Sequence, residues 1–186
     1  MKLIILDRDG VINHDSRKYI KSADEWLIIP GSAKAIANLT QIGYTVVVCS
    51  NQSGIGHGLY GMKELNEMHE KMHKLVNNAG GVIAAIFICP HIPEDNCECR
   101  KPKPGMIYEI RDRFNLDDMS NIMFVGDSER DLLAIKAAGG IPVLVKTGNG
   151  KKSLNKITIP PGTLVFDNLL SVSEYLITKE EEEYGK

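Results

Sequence analysis

Short unbroken apolar runs alternate along the chain with longer stretches in which apolar residues recur every three or four positions. The runs are Leu3–Leu6, Tyr44–Cys49, Val82–Ile88, Ile122–Val125, Val143–Val145 and Thr163–Phe166. Runs of this kind, without alternation, read as strands buried on both faces. The periodic stretches read as helices with one apolar face. The first begins at Pro30-Gly31 and carries Ala35, Ile36, Leu39 and Ile42; Met62–Asn77 carries Leu65, Met68, Met72 and Leu75. Met106–Phe114, Leu132–Ala138 and Leu169–Leu176 follow. Gly43, Gly80-Gly81 and Gly139-Gly140 stop three of these helices. Strands and helices in alternation predict an α/β fold, a Rossmann-like three-layer sandwich around a mainly parallel central sheet.

His14–Leu27 is polar and mixed and reads as a loop over the end of the sheet. No repeat, linker or inserted cap domain appears, so residues 1–186 read as a single domain. The stretch 179–186 contains four consecutive glutamates and reads as a frayed tail.

Composition narrows the function classes. With 43% apolar residues and a formal net charge of -2, the chain has enough apolar side chains for a core and no basic surface suited to nucleic acid. No apolar run approaches the roughly 18 residues of a membrane span. The first apolar run is short and followed at once by charge, unlike a secretion signal. A cytoplasmic protein without membrane or nucleic-acid partners is expected. Of the four cysteines, three fall between Cys89 and Cys99, which fits metal binding in a reducing compartment better than a disulfide framework.

Candidate chemistry clusters at the strand ends. The first strand stops at Asp7 and Asp9, followed by Gly10. Ligands of open α/β sheets bind in that crevice, and two carboxylates so close call for a cation such as Mg²⁺. The competing reading is a plain Asp-Gly turn. The second strand runs into Ser50-Asn51-Gln52-Ser53-Gly54, whose hydroxyl and backbone N–H groups suit phosphate oxygens. Cys49 reads as a buried strand residue, not a nucleophile. His69 and His73 stand four apart on a helix without an evident third ligand and read as surface imidazoles.

After the third strand come Cys89, His91, Cys97 and Cys99, the Cys₃His composition of structural zinc sites, although their spacing departs from that of common zinc fingers. With four ligands filled, such a zinc would knot the loop 89–99 and hold no water for catalysis. Arg100-Lys101-Pro102-Lys103-Pro104-Gly105 leaves this knot as a stiff cationic loop suited to an anionic substrate. The fourth strand ends at Gly126-Asp127, with Asp131 in the first turn of the next helix. Asp7 and Asp127 would share one Mg²⁺, while Asp131 would orient water or ligate. Lys146–Lys152 reads as a flexible basic turn that either reaches the pocket or is simply solvated.

Taken together, LDRDG at 6–10, SNQSG at 50–54, RKPKPG at 100–105 and GDSERD at 126–131 resemble the four motifs of haloacid-dehalogenase-type phosphatases, in the capless branch with a zinc loop. Phosphatases of D-glycero-D-manno-heptose 1,7-bisphosphate and of histidinol phosphate share this pattern. SNQSGIGHG, PGM and VLVKTGNG look like the heptose type, which serves nucleotide-activated heptose and lipopolysaccharide core synthesis. The short gap between His91 and Cys97 looks like the histidinol type.

The resemblance implies a monomeric hydrolase of a small phosphorylated sugar. It makes Asp7 the nucleophile that forms an aspartyl-phosphate, and Asp9 the general acid and base. Asp7, the Asp9 carbonyl and Asp127 hold Mg²⁺; Ser50 and Lys101 hold the phosphoryl oxygens. Asn51 supports the nucleophile or phosphate loop, Arg100 contacts the remote part of the substrate, and Cys89, His91, Cys97 and Cys99 bind Zn²⁺. Gln52, Asp131 and Lys146 are supporting candidates. A DNA 3′-phosphatase sits poorly with the acidic net charge, and a zinc-stabilised binding module with a silent centre remains the alternative from another class.

Overall fold

The structure, a computed structural model, describes residues 1–156 and 159–184. Its centre is a six-stranded, wholly parallel sheet in the order β3-β2-β1-β4-β5-β6. The strands are β1 (Leu3–Leu6), β2 (Thr45–Asn51), β3 (Ile83–Cys89), β4 (Met123–Gly126), β5 (Ile141–Val145) and β6 (Leu164–Phe166). Every residue of β1 is buried, as an inner strand of a sheet covered on both faces requires.

Successive side chains of a strand point to opposite faces, and that alternation divides the core in two. Ile4, Leu6, Val46 and Val48 pack under α1 (Ser32–Gln41), α2 (Met62–Asn78) and α6 (Leu169–Tyr184), through Ile36, Leu39, Leu65, Met68 and Val172. Leu3, Ile5, Val47 and Phe124 pack on the other face against α3 (Gly105–Arg113) and α4 (Glu129–Ala137), through Met106, Ile107, Ile110 and Ile135. The expected three layers are present. A short helix, α5 (Gly150–Ser153), completes the set.

The chain places β2 and β3 on one side of β1, then crosses to place β4, β5 and β6 on the other. Strand order therefore reverses at β1, which opens a crevice beyond the carboxyl ends of β2, β1 and β4. Residues 14–27 cross that end: His14 N–H donates to the Leu27 carbonyl at 2.9 Å, and Trp26 and Ile20 anchor the loop in the core.

Three differences from the sequence reading exceed two residues. The fourth helix begins at Glu129, three residues earlier than its apolar pattern, because Ser128 and Asp131 form a reciprocal cap. Residues 150–152 of the supposed flexible turn are helical, in a helix that runs to Ser153. The last helix does not fray at 179 but continues to Tyr184. Lys2 forms an ion pair with Glu180, and the Lys179 ammonium lies 5.1 Å from the centre of the Tyr175 ring; both hold the additional turns. Residues 185 and 186 lie outside the described residues. Among the described residues, no helix is long and apolar enough to cross a membrane.

Candidate active site

The crevice is a cavity of about 230 Å³ at the ends of β1, β2 and β4. Its floor is built on Lys101, which is 2% exposed. The Lys101 ammonium lies 3.0 Å from Asp7 Oδ1 and 2.7 Å from Asp131 Oδ1, and donates to the Cys49 carbonyl at 2.8 Å. Burial works against its charge, but Asp131 and Asp7 outweigh burial and raise its pKa. Lys101 is therefore a fixed cation beside Asp7.

Asp7, Asp127 and Asp131 bring carboxylate oxygens within 4.8 Å of one another. Burial pushes the Asp7 carboxyl up to about 7, with Lys101 opposing and Asp131 and Asp9 adding to the rise. Burial, then Asp131 and Asp7, push Asp127 up to about 8. One ammonium among three buried carboxylates leaves excess negative charge, which a divalent cation would offset. The remaining oxygens define where it fits. Asp131 is committed, with Oδ1 to Lys101 and Oδ2 to the N–H and hydroxyl of Ser128. Asp7 Oδ1 accepts from Lys101 and from Arg8 N–H, and Asp127 Oδ2 accepts from Asn149 N–H at 2.7 Å. Among the described residues, Asp7 Oδ2 and Asp127 Oδ1 have no protein partner, and an oxygen-preferring cation suits them.

Two glycines make this approach possible. Gly10 has φ +86°, and a Cβ there would stand 2.1 Å from Asp127 Oδ2; a Cβ on Gly148, at φ +55°, would meet the same atom at 2.1 Å. Asp-Gly at 9–10 is thus a turn as well as part of the site, and the two readings of that dipeptide coexist.

Asp9 is gripped on several sides. Arg8, fully buried, donates to both of its oxygens at 2.9–3.0 Å, Asn13 Nδ2 donates at 2.8 Å and Gln52 Nε2 at 2.9 Å. Ser50 lies buried at the end of β2. Asn51 turns its amide to the backbone of Lys101, so its side chain positions that residue, and it lines the cleft with a second amide hydrogen to spare. Cys49 is fully buried, and burial pushes its thiol up to about 12, which removes it as a nucleophile.

The second cluster lies beside the first. Cys89 Sγ, His91 Nδ1, Cys97 Sγ and Cys99 Sγ are all within 4.8 Å of one another, with near pairs at 3.3–3.6 Å. Zinc–ligand distances of about 2.0–2.3 Å in a tetrahedron imply edges slightly above these values, so the donor set fits a four-coordinate soft-ligand metal. Cys99 directly precedes Arg100 and Lys101, and Arg100 donates to the His91 carbonyl at 3.2 Å. A metal here would fix the stem of the cationic loop.

Two sequence readings need correction. Lys146 does not line the cleft: it pairs with Asp167 at 2.8 Å, and Asn149 takes the place beside Asp127. His69 is not a surface imidazole but lies 3.5 Å from the buried Arg8, where burial and then the Arg8 charge lower its pKa to about 4. Sequence reasoning also missed Arg8, Asn13 and Tyr60 around Asp9, and Arg17 and Arg130 on the cleft wall. Arg8 stands inside the quoted LDRDG motif, but an arginine there gives no sign of being buried.

A family model described as haloacid dehalogenase-like hydrolase matches residues 6–139, which spans all four motifs. The chain belongs to this family. Curated relatives of this haloacid dehalogenase-like hydrolase include a D-glycero-beta-D-manno-heptose-1,7-bisphosphate 7-phosphatase of Neisseria meningitidis, 56% identical over 95% of each chain. A Pseudomonas aeruginosa protein of the same name is 52% identical over 94% of this chain and 97% of its own. The crystal structure of D,D-heptose 1,7-bisphosphate phosphatase from B. bronchiseptica, complexed with magnesium and phosphate, superposes with a TM-score of 0.94 at 51% identity, covering 96% of this chain and 99% of that one. The hydrolase assignment and the α/β fold agree with the sequence reading.

Proposed function

We propose that this hydrolase removes the 7-phosphate of D-glycero-β-D-manno-heptose 1,7-bisphosphate, leaving heptose 1-phosphate for nucleotide-activated heptose synthesis. The observation that carries the chemistry is the contact of Asp7 with the buried Lys101 beside Asp127 and Asp131. The relatives' shared name at 50–56% identity supports the substrate and its β anomer.

In this reading, residues 1–186 act as one catalytic domain, monomeric and cytoplasmic. Asp7 attacks phosphorus as the bond to the sugar oxygen breaks, and Asp9 gives that oxygen a proton. Water then attacks the aspartyl-phosphate while Asp9 takes a proton from it, and Asp7 leaves as a carboxylate. Ser50 and Lys101 hold the phosphoryl oxygens, and Arg100 meets the remote phosphate with a fork of donors. Mg²⁺ held by Asp7, Asp127 and the Asp9 carbonyl supplies neutralisation of phosphoryl charge. Zn²⁺ on Cys89, His91, Cys97 and Cys99 is structural.

The test is phosphate release with Mg²⁺ from both anomers of the heptose bisphosphate and from histidinol phosphate. The β anomer should lead histidinol phosphate in kcat/KM by about a hundredfold or more, roughly 2.7 kcal/mol of differential transition-state binding. Equal or faster release from histidinol phosphate would overturn the heptose reading, and release from none of the three would overturn the phosphatase reading as a whole.

A further inference from the structure

Gln52 sits where three features of the site meet. Its Oε1 accepts from Arg8 Nη2 at 3.1 Å and from the Tyr60 hydroxyl at 2.6 Å. Its Nε2 donates to Asp9 Oδ2 at 2.9 Å and to Ser50 Oγ at 2.8 Å. The side chain is 2% exposed, Arg8 is fully buried and Tyr60 is 9% exposed. A guanidinium only donates, so the atom of Gln52 that faces Arg8 is the amide oxygen, and the amide has one possible orientation. Tyr60 can close on Gln52 because residue 54 is glycine: a Cβ there would stand 2.2 Å from the Tyr60 ring.

We infer that Gln52 is a positioning residue that links the phosphate-binding hydroxyl of Ser50 to the acid–base carboxylate of Asp9, and that Arg8 and Tyr60 set the direction of its amide. This rests on the roles proposed above for Ser50 and Asp9. One amide hydrogen directs Asp9 Oδ2. The other occupies a lone pair of Ser50 Oγ, which leaves the Ser50 proton to donate to a phosphoryl oxygen. A single planar group thereby holds the leaving-group acid in register with the phosphoryl group that departs from it.

The test compares kcat/KM for the sugar phosphate, whose alkoxide must be protonated as it leaves, with that for p-nitrophenyl phosphate, whose phenolate leaves unaided. Gln52→Glu keeps the acceptors for Arg8 and Tyr60 but removes both donors. It should lower kcat/KM for both substrates, since Ser50 then turns its proton to the new carboxylate, and about tenfold or more further for the sugar phosphate, whose leaving oxygen also needs Asp9. Tyr60→Phe keeps the ring in the core and should give falls of about tenfold and less than twofold. A residue needed only for folding would lower both substrates alike; equal falls, or no fall in either variant, overturn the inference. Asp9→Asn is the control: if it too lowers both substrates equally, the acid–base reading of Asp9 fails first, whereas a selective loss there with none in the Gln52 and Tyr60 variants removes the link alone.

Discussion

Asn51 and Lys101, fifty positions apart, are joined by a two-point contact in which Asn51 Nδ2 donates to the Lys101 carbonyl at 3.0 Å and Lys101 N–H donates to Asn51 Oδ1 at 3.1 Å. The end of β2 thus fixes the backbone of the residue whose ammonium faces Asp7. Asn51→Ala would leave that N–H and carbonyl unpaired beside a buried side chain. The expected cost is about 1–3 kcal/mol in urea unfolding, with a fall in kcat of tenfold or more. Unchanged kcat would show that Lys101 holds its place without Asn51.

Lys101 is the counter-ion of two buried carboxylates. Lys101→Met retains much of the side chain's length and removes only the charge. Removal of one partner from such a buried cluster costs about 3–5 kcal/mol. The loss should be measurable by chemical denaturation without Mg²⁺, and saturating Mg²⁺ should recover part of it. Inhibition by inorganic phosphate should weaken as well.

The pH dependence has a definite sign. Without a cation, burial and the neighbouring carboxylates push the Asp7 carboxyl up to about 7 and that of Asp127 up to about 8, from an ordinary aspartate value of 3.8. The folded protein then retains protons that the unfolded chain has released, so these groups destabilise it progressively as pH rises from about 4 to 8. A bound cation favours the ionised forms. The increase in Tm given by saturating Mg²⁺ should therefore be larger at pH 8 than at pH 5; equal shifts at both would argue against a cation on these two carboxylates.

The two metal sites should separate experimentally. Removal of Mg²⁺ alone should abolish turnover with little change in zinc content. Cys99→Ser breaks the four-ligand set and should cost more than about 3 kcal/mol, roughly 6–12 °C in Tm for a chain of this size. A large fall in Tm on Mg²⁺ removal without loss of turnover would reverse the assignment.

Gly10→Ala combines two penalties. Its φ of +86° disfavours any L side chain by about 1–2 kcal/mol, and its Cβ would displace the Asp127 carboxylate. Stability should drop by at least that amount, and the Mg²⁺ concentration for half-maximal activity should rise about tenfold or more. Gly43→Ala provides the comparison, since its φ is +85° and nothing lies within 4 Å of its Cβ position. It should show the backbone penalty without the change in Mg²⁺ dependence.

Much of the protein is legible in the sequence because its signals are local. Apolar runs such as LIIL and VVVC require cover on both faces of a sheet, and carboxylates directly after a strand fall at its carboxyl end. Cys89, His91, Cys97 and Cys99 are close enough in the chain to declare a shared site, and the structure does bring them together. Lys146 misled because a basic residue near a strand end looks available, whereas its partner, Asp167, lies twenty-one positions on beside β6.

The sequence by itself determined the fold class, the strand ends that carry chemistry and the family. Tertiary structure alone decided how the polar atoms are divided among them. Asp131 is committed to Lys101 and Ser128, and Asn51 to the Lys101 backbone. Arg8 and Gln52 close around Asp9, with Tyr60 behind Gln52. The physical reason is that periodicity and strand-end position follow from local backbone geometry. A buried hydrogen bond instead depends on which distant donors and acceptors packing brings within about 3 Å.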